Sequence, residues 1–154
     1  MPNILTAQNI SKIYTTDSGV FPALTNVTLS LEEGGFYSLI GRSGSGKSTL
    51  LHILSGLDTP TSGTVSVQGT CLSSYTDEKR AIFRRRYMGF VFQQYNLLEE
   101  YDIRTNICMP LRLDGRKPDE QFLAEITDTL GLSRRLLLKY PNEISGGERQ
   151  RAAI

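Results

Sequence analysis

The stretch Gly41-Arg42-Ser43-Gly44-Ser45-Gly46-Lys47-Ser48 constrains this chain more than any other. It fits the pattern Gly-x-x-x-x-Gly-Lys-Ser/Thr, which works only where a strand runs into a tight loop and the loop into a helix. Phe36 to Ile40, short and rich in aromatic and branched side chains, supplies the strand and reads as a buried member of a parallel sheet. Leu50, Leu51, Ile53, Leu54 and Leu57 recur at helical spacing and supply the helix. Glycines let the backbone come close to an anion. Successive amides then form a cradle, and the helix adds its positive end. Lys47 is placed to reach the outer phosphates of a nucleoside triphosphate as a point charge, and the Ser48 hydroxyl to bind magnesium. The pattern says nothing about what happens to the triphosphate.

The surrounding elements suggest an α/β architecture. Ile4 to Ile13 and Val27 to Leu31 alternate as strands, and Thr64 to Val67 and Met88 to Phe92 read as two more. Thr76, followed by Asp77 and Glu78, starts a helix carried by Ile82, Phe83 and Tyr87. Pro118-Asp119-Glu120 opens another, with Phe122, Leu123, Ile126 and Leu130 inside and Gly131 at its close. Arg134 to Tyr140 is a short segment ended by Pro141, and Thr15 to Phe21 reads as a polar loop. Strands dominate early and helices late, so a helical portion separate from the α/β core is expected.

Ser145-Gly146-Gly147-Glu148 narrows the function. Taken alone, Ser145 and Glu148 form a capping box at a helix start. Two glycines just behind the cap weaken a helix, unless something must approach its backbone there. A serine hydroxyl with bare amides makes a second anion-binding end.

With both motifs in view, the sequence resembles the ATP-binding subunit of ABC transporters. Ser145 to Arg151 is similar to that family's signature segment, with Ile144 where leucine is usual and Glu148 where glutamine is usual. Phe92-Gln93-Gln94-Tyr95-Asn96-Leu97-Leu98 resembles its glutamine loop, and Tyr14 falls where the family places an aromatic on adenine. Leu51 to Gly63, with the Pro141-containing approach to the signature, is most similar to the lipoprotein-release and macrolide-efflux branch.

The resemblance implies a P-loop NTPase core with an N-terminal antiparallel β portion and a helical subdomain: residues 1–93, then 94–145, then 146–154 as the start of the signature helix. It implies ATP and Mg2+ as cofactors, held by Tyr14, Gly41, Ser43, Gly44, Ser45, Gly46, Lys47, Ser48, Thr49 and Gln93. Ser48 and Gln93 would serve the metal. Ser145, Gly146, Gly147 and Glu148 would meet the nucleotide of a second copy in a head-to-tail dimer. Gln93 would also relay to an integral membrane permease, placing the subunit on the cytoplasmic face of the membrane. The family's catalytic glutamate, at the end of an apolar strand ending Asp-Glu, is expected beyond Ile154. No catalytic residue is therefore assigned, the C-terminal part of the core is expected to be missing, and the chain alone is expected to be inactive.

The remaining features are weaker. Tyr14 also fits a packing role at a strand end, and Gln93 a solvated loop position. His52 reads as a helix residue rather than a phosphate sensor, and Cys71 and Cys108 as free thiols. Arg84-Arg85-Arg86 reads as a solvated helix face or a permease contact, because 17 basic against 16 acidic residues leave no nucleic-acid footprint. No apolar run approaches the roughly 20 residues of a membrane span, and Met1-Pro2-Asn3-Ile4 does not open a signal peptide. A chromosome-maintenance or DNA-repair ATPase shares both motifs but separates them with a long coiled coil. No sustained heptads lie between Gln93 and Ser145.

Overall fold

The computed structural model describes residues 2–17 and 19–154; Met1 and Ser18 lie outside the described residues, Ser18 within the expected loop Thr15 to Phe21. The chain forms two compact units, Met1–Met88 and Gly89–Ile154, so Gln93 belongs to the second.

In the first unit β1 (Asn3–Thr16) pairs antiparallel with β2 (Gly19–Glu32) on one side and with β3 (Ser62–Val67) on the other. A short β4 (Thr70–Cys71) completes the order β2-β1-β3-β4. Strand alternation explains the inward Leu5 and Ala7. The phase then changes, because Ile10 rather than Asn9 is buried. Asn9 adopts φ 50° inside a register irregularity, and its amide and side chain engage the Thr28 hydroxyl at 3.0 and 3.2 Å. This bulge re-aims the rest of β1. Helix α1 (Lys47–Leu54) buries Leu50, Ile53 and Leu54, one helical face, in a core shared with Leu24, Val65, Val67, Leu72 and Phe83. Leu51, grouped with them on spacing, points out and is 54% exposed.

Helix α2 (Asp77–Tyr87) starts at Thr76, whose side chain caps the Lys79 amide. Arg84 is half-buried and donates to the Gly56 carbonyl at 2.6 Å, so this part of the arginine run is not a solvated face.

Three expectations are corrected. Phe36 to Ile40 and Met88 to Phe92 form no strand. An extended segment becomes a strand only when a neighbour takes its amides and carbonyls, and no described strand pairs with either. Phe36 is 96% and Ile40 89% exposed as a result. Thr15 to Phe21 is not a free loop: Thr15↔Val20 and Thr16↔Gly19 continue the ribbon.

The second unit is helical. Its α3 (Ile103–Leu113), not among the expected helices, carries Pro110 inside it. Asp102 nonetheless caps it, accepting from the Thr105 amide at 2.6 Å. Helix α4 (Glu120–Thr129) is capped by Asp119 and closes at Gly131 with φ 65°. After the short α5 (Arg134–Leu137) comes α6 (Gly146–Ala152). Ile103, Leu132, Leu136, Leu137, Ile144 and Ala152 form the core. No helix among the described residues is long and apolar enough to cross a membrane.

Candidate functional site

The loop from Gly41 to Ser48 curls back on itself. The Ser45 amide donates to the Arg42 carbonyl at 3.2 Å. The Lys47 ammonium folds over the loop and donates to the carbonyls of Gly41 and Arg42 at 2.9 and 2.6 Å. It is thereby held against the loop backbone rather than extended away from it. Gly46 caps α1 in the left-handed region with φ 84°, and no side chain caps the helix there. A Cβ on Gly41 would meet the Ser45 hydroxyl at 2.8 Å. A glycine-lined turn, an inward lysine and a helix start without a side-chain cap together fit a phosphate chain. Ser43, Gly44 and Ser48 are exposed, and Thr49 lies in the first turn of α1.

β2 connects this loop to Tyr14. A Cβ on Gly46 would touch the Ala23 carbonyl oxygen at 2.5 Å and Leu24 Cδ2 at 3.0 Å, so the loop ends against β2. Leu24 pairs with Lys12 and Phe21 with Tyr14 across the ribbon. Three residues of strand, about 10 Å, therefore separate the end of the loop from the partner of Tyr14. Tyr14, Thr16, Gly19, Val20 and Phe21 line an open hollow of about 550 Å³ at this end of the ribbon. Val20 and Phe21 are 69% and 58% exposed, an apolar lining suited to a flat heterocycle.

Tyr14 is more tightly held than a swinging loop residue would be. Its hydroxyl donates to Asp58 Oδ2 at 3.0 Å, and the Lys12 ammonium sits 5.0 Å from the ring centroid. Burial opposes ionisation of Asp58, but hydrogen bonds from Lys12, the Thr59 amide and Tyr14 outweigh it and hold the carboxyl below its ordinary value. His52 stays in α1, where its carbonyl accepts from the amides of Leu57 and Asp58.

Gln93 lies exposed in the second unit, on a turn that follows the stacked rings of Phe90 and Phe92, 5.6 Å apart. Tyr95 and Asn96 take φ 53° and 51°, a costly conformation for non-glycine residues. Asn106, which the sequence does not single out, organises the segment that follows. Its side chain accepts from the Leu98 amide at 2.7 Å and donates to the carbonyls of Leu98 and Tyr101 at 3.0 Å each. A polar residue one turn past a capping aspartate was the available signal.

The signature segment is a complete capping box. Glu148 Oε2 accepts from both the amide and the hydroxyl of Ser145 at 2.7 Å, and the Glu148 amide donates back to the hydroxyl at 3.3 Å. The Ser145 hydroxyl and amide lower the Glu148 carboxyl from its ordinary value. A Cβ on Gly146 would meet nothing within 4 Å. Packing within this chain therefore does not require glycine there.

The ABC transporter family model matches residues 24–154. The chain is 42% identical over its whole length to the lipoprotein-releasing system ATP-binding protein LolD of Anaplasma marginale, covering 69% of that relative. It is 39% identical to the bacitracin export ATP-binding protein BceA of Halalkalibacterium halodurans, with 97% of this chain and 60% of that one covered. Among solved structures, the dimeric bacterial ABC transporter cassette MJ0796 superposes with a TM-score of 0.87 at 35% identity, over 97% of this chain and 67% of that one. A post-hydrolysis state of the same cassette, bound to ADP and Pi, superposes with a TM-score of 0.86.

Proposed function

Because this chain belongs to the ABC transporter family of ATP-binding subunits and ATPases, we propose that it binds magnesium–ATP at the loop from Gly41 to Thr49 and couples that binding to transport by a membrane permease. The observation that carries the reading is Lys47, drawn inward over a loop with a helix start behind it.

The residues divide the work. Amides from Ser43 to Thr49 hold phosphate oxygens, and Lys47 exchanges two carbonyl acceptors for the outer phosphates. The Ser48 hydroxyl and the Gln93 side chain carry the oxygen donors that suit a hard divalent cation, which supplies charge neutralisation when bound. Tyr14 receives the base in the hollow beside Phe21.

Ser145, Gly146 and Gly147 would meet the phosphate of a second copy in a head-to-tail dimer, a reading supported by the dimeric form of the MJ0796 cassette. The Ser145 hydroxyl is committed to Glu148, so contact with a phosphate oxygen requires turning that proton away from the carboxylate. Gln93, on the turn just before the left-handed Tyr95 and Asn96, would relay this state to the permease. The subunit would sit on the cytoplasmic face of the membrane. The similarity to ATP-binding proteins of a lipoprotein-releasing system and of bacitracin export favours the lipoprotein-release and macrolide-efflux branch over chromosome maintenance.

Titration of the Lys47→Ala variant with magnesium–ATP tests this reading. Affinity is expected to fall at least about tenfold, the loss of one charge-assisted contact pair. Affinity within twofold of the parent would refute it.

A further inference from the structure

We infer that Asp58 and Lys12 are positioning residues that hold the Tyr14 ring as a one-sided platform for a purine base. The inference rests on the reading of Tyr14 as the base-binding aromatic and adds how the ring is set.

The geometry starts at Asp58. Its two carboxylate oxygens serve three donors: Oδ1 accepts from Lys12 and from the Thr59 amide at 2.7 Å each, and Oδ2 from the Tyr14 hydroxyl at 3.0 Å. Lys12, with its side chain only 13% exposed, also donates to the Thr59 carbonyl at 2.7 Å. An ammonium so fixed cannot wander, and it lies 5.0 Å from the Tyr14 ring centroid. One ring face is thereby taken by the cation, leaving at most the other for a base. The hydroxyl bond fixes the long axis of the ring, and the cation fixes which face is offered. Tyr14 as a whole remains 37% exposed and lines the hollow with Val20 and Phe21.

Asp58 is itself anchored. Its amide donates to the His52 carbonyl at 3.0 Å, in the last turn of α1. The Thr61 amide donates to the Ser11 carbonyl at 2.8 Å, and the Ile13 amide to the Thr61 hydroxyl at 3.0 Å, so the turn is tied to β1 on both sides of Lys12. Helix α1 begins at the phosphate loop and is eight residues long, about 12 Å. One short helix therefore carries the phosphate cradle at its start and the brace of the aromatic at its end. A base and a triphosphate belonging to one molecule need that fixed separation. Ordering the ring before binding removes part of the entropy loss that binding would otherwise carry.

The test is a comparison of two ligands, ATP and inorganic triphosphate, each with magnesium, titrated against the full-length protein and its Asp58→Asn, Tyr14→Phe and Tyr14→Ala variants. Asp58→Asn is expected to weaken ATP binding about three- to tenfold, the scale of one lost hydrogen bond, and to leave inorganic triphosphate binding unchanged. Tyr14→Phe keeps the ring and removes the same bond, so it is expected to weaken ATP similarly. The double variant Asp58→Asn/Tyr14→Phe is then expected to be no worse than either alone. An Asp58→Asn protein that binds ATP as the parent does, or that loses both ligands equally, overturns the positioning role. The base-platform reading itself fails on a different result: Tyr14→Ala binding ATP as tightly as the parent.

Discussion

Gly46 and Gly44 allow a controlled test of the loop geometry. Both lie in the left-handed region, at φ 84° and 77°. Their surroundings differ. A Cβ on Gly44 would meet nothing within 4 Å, whereas one on Gly46 would lie 2.5 Å from the Ala23 carbonyl oxygen and 3.0 Å from Leu24 Cδ2. Alanine at either position incurs about 1–2 kcal/mol for the left-handed backbone. It also recovers roughly 0.4–1 kcal/mol by restricting the unfolded chain, a gain common to both. Only Gly46→Ala adds a collision with backbone, which cannot rotate aside, and overpacking of this kind costs about 1–3 kcal/mol. Gly46→Ala is therefore expected to be less stable than Gly44→Ala by about 1–3 kcal/mol. Urea unfolding followed by far-ultraviolet circular dichroism measures the difference through the midpoints, provided the slopes agree. Equal midpoints, or a lower one for Gly44→Ala, would refute the claim that the loop closes against β2.

Four further outcomes are expected. Ile53→Ala should destabilise by about 2–5 kcal/mol, because Ile53 is 1% exposed in the core, while Leu51→Ala on the same helix should cost under about 1 kcal/mol; urea midpoints decide. Asn106→Ala should cost about 1–3 kcal/mol and speed amide hydrogen exchange at Leu98, whose amide then has no acceptor. Asp58 and Asp102 both titrate below their ordinary value, so their contribution is present above the unfolded value and lost as pH falls through the folded one; stability should drop below about pH 4, and Asp102→Asn should flatten that fall in an acid titration of the thermal midpoint. Gly146→Ala should leave stability unchanged or raise it by up to about 1 kcal/mol, while reducing ATP-dependent dimerisation measured by sedimentation.

Where the sequence was legible, a local signal and a local structure coincided. Thr76, Asp119 and Ser145 announce helices α2, α4 and α6, because a cap is a contact within one turn. The phosphate loop was legible for the same reason: its turns and its lysine contacts close within eight positions. Where it misled, the deciding contact was distant. Phe36 to Ile40 has strand chemistry, but a strand exists only through a neighbour. The bulge at Asn9 depends on Thr28, nineteen positions away, and no alternation rule reveals it. Tyr14 was placed by resemblance, yet its brace comes from Asp58, 44 positions on. Helix α3 was not among the expected helices; its cap at Asp102 and the buried Ile103 and Cys108 outweigh the one backbone bond that Pro110 removes.

The glycines of the two motifs are required for different reasons. At Gly46 the requirement is internal: the backbone is left-handed and β2 leaves no room for a methyl group. At Gly146 the chain imposes nothing. The backbone is not left-handed, the space is open, and helix propensity favours almost any other residue. A residue that weakens its own helix and relieves no crowding in its own fold is explained by what approaches from outside. The capping box at Ser145 and Glu148 already supports the helix start, so the bare backbone behind it can remain open. The glycine of the first motif is thus accounted for within one chain, while no contact within the chain accounts for the glycine of the second.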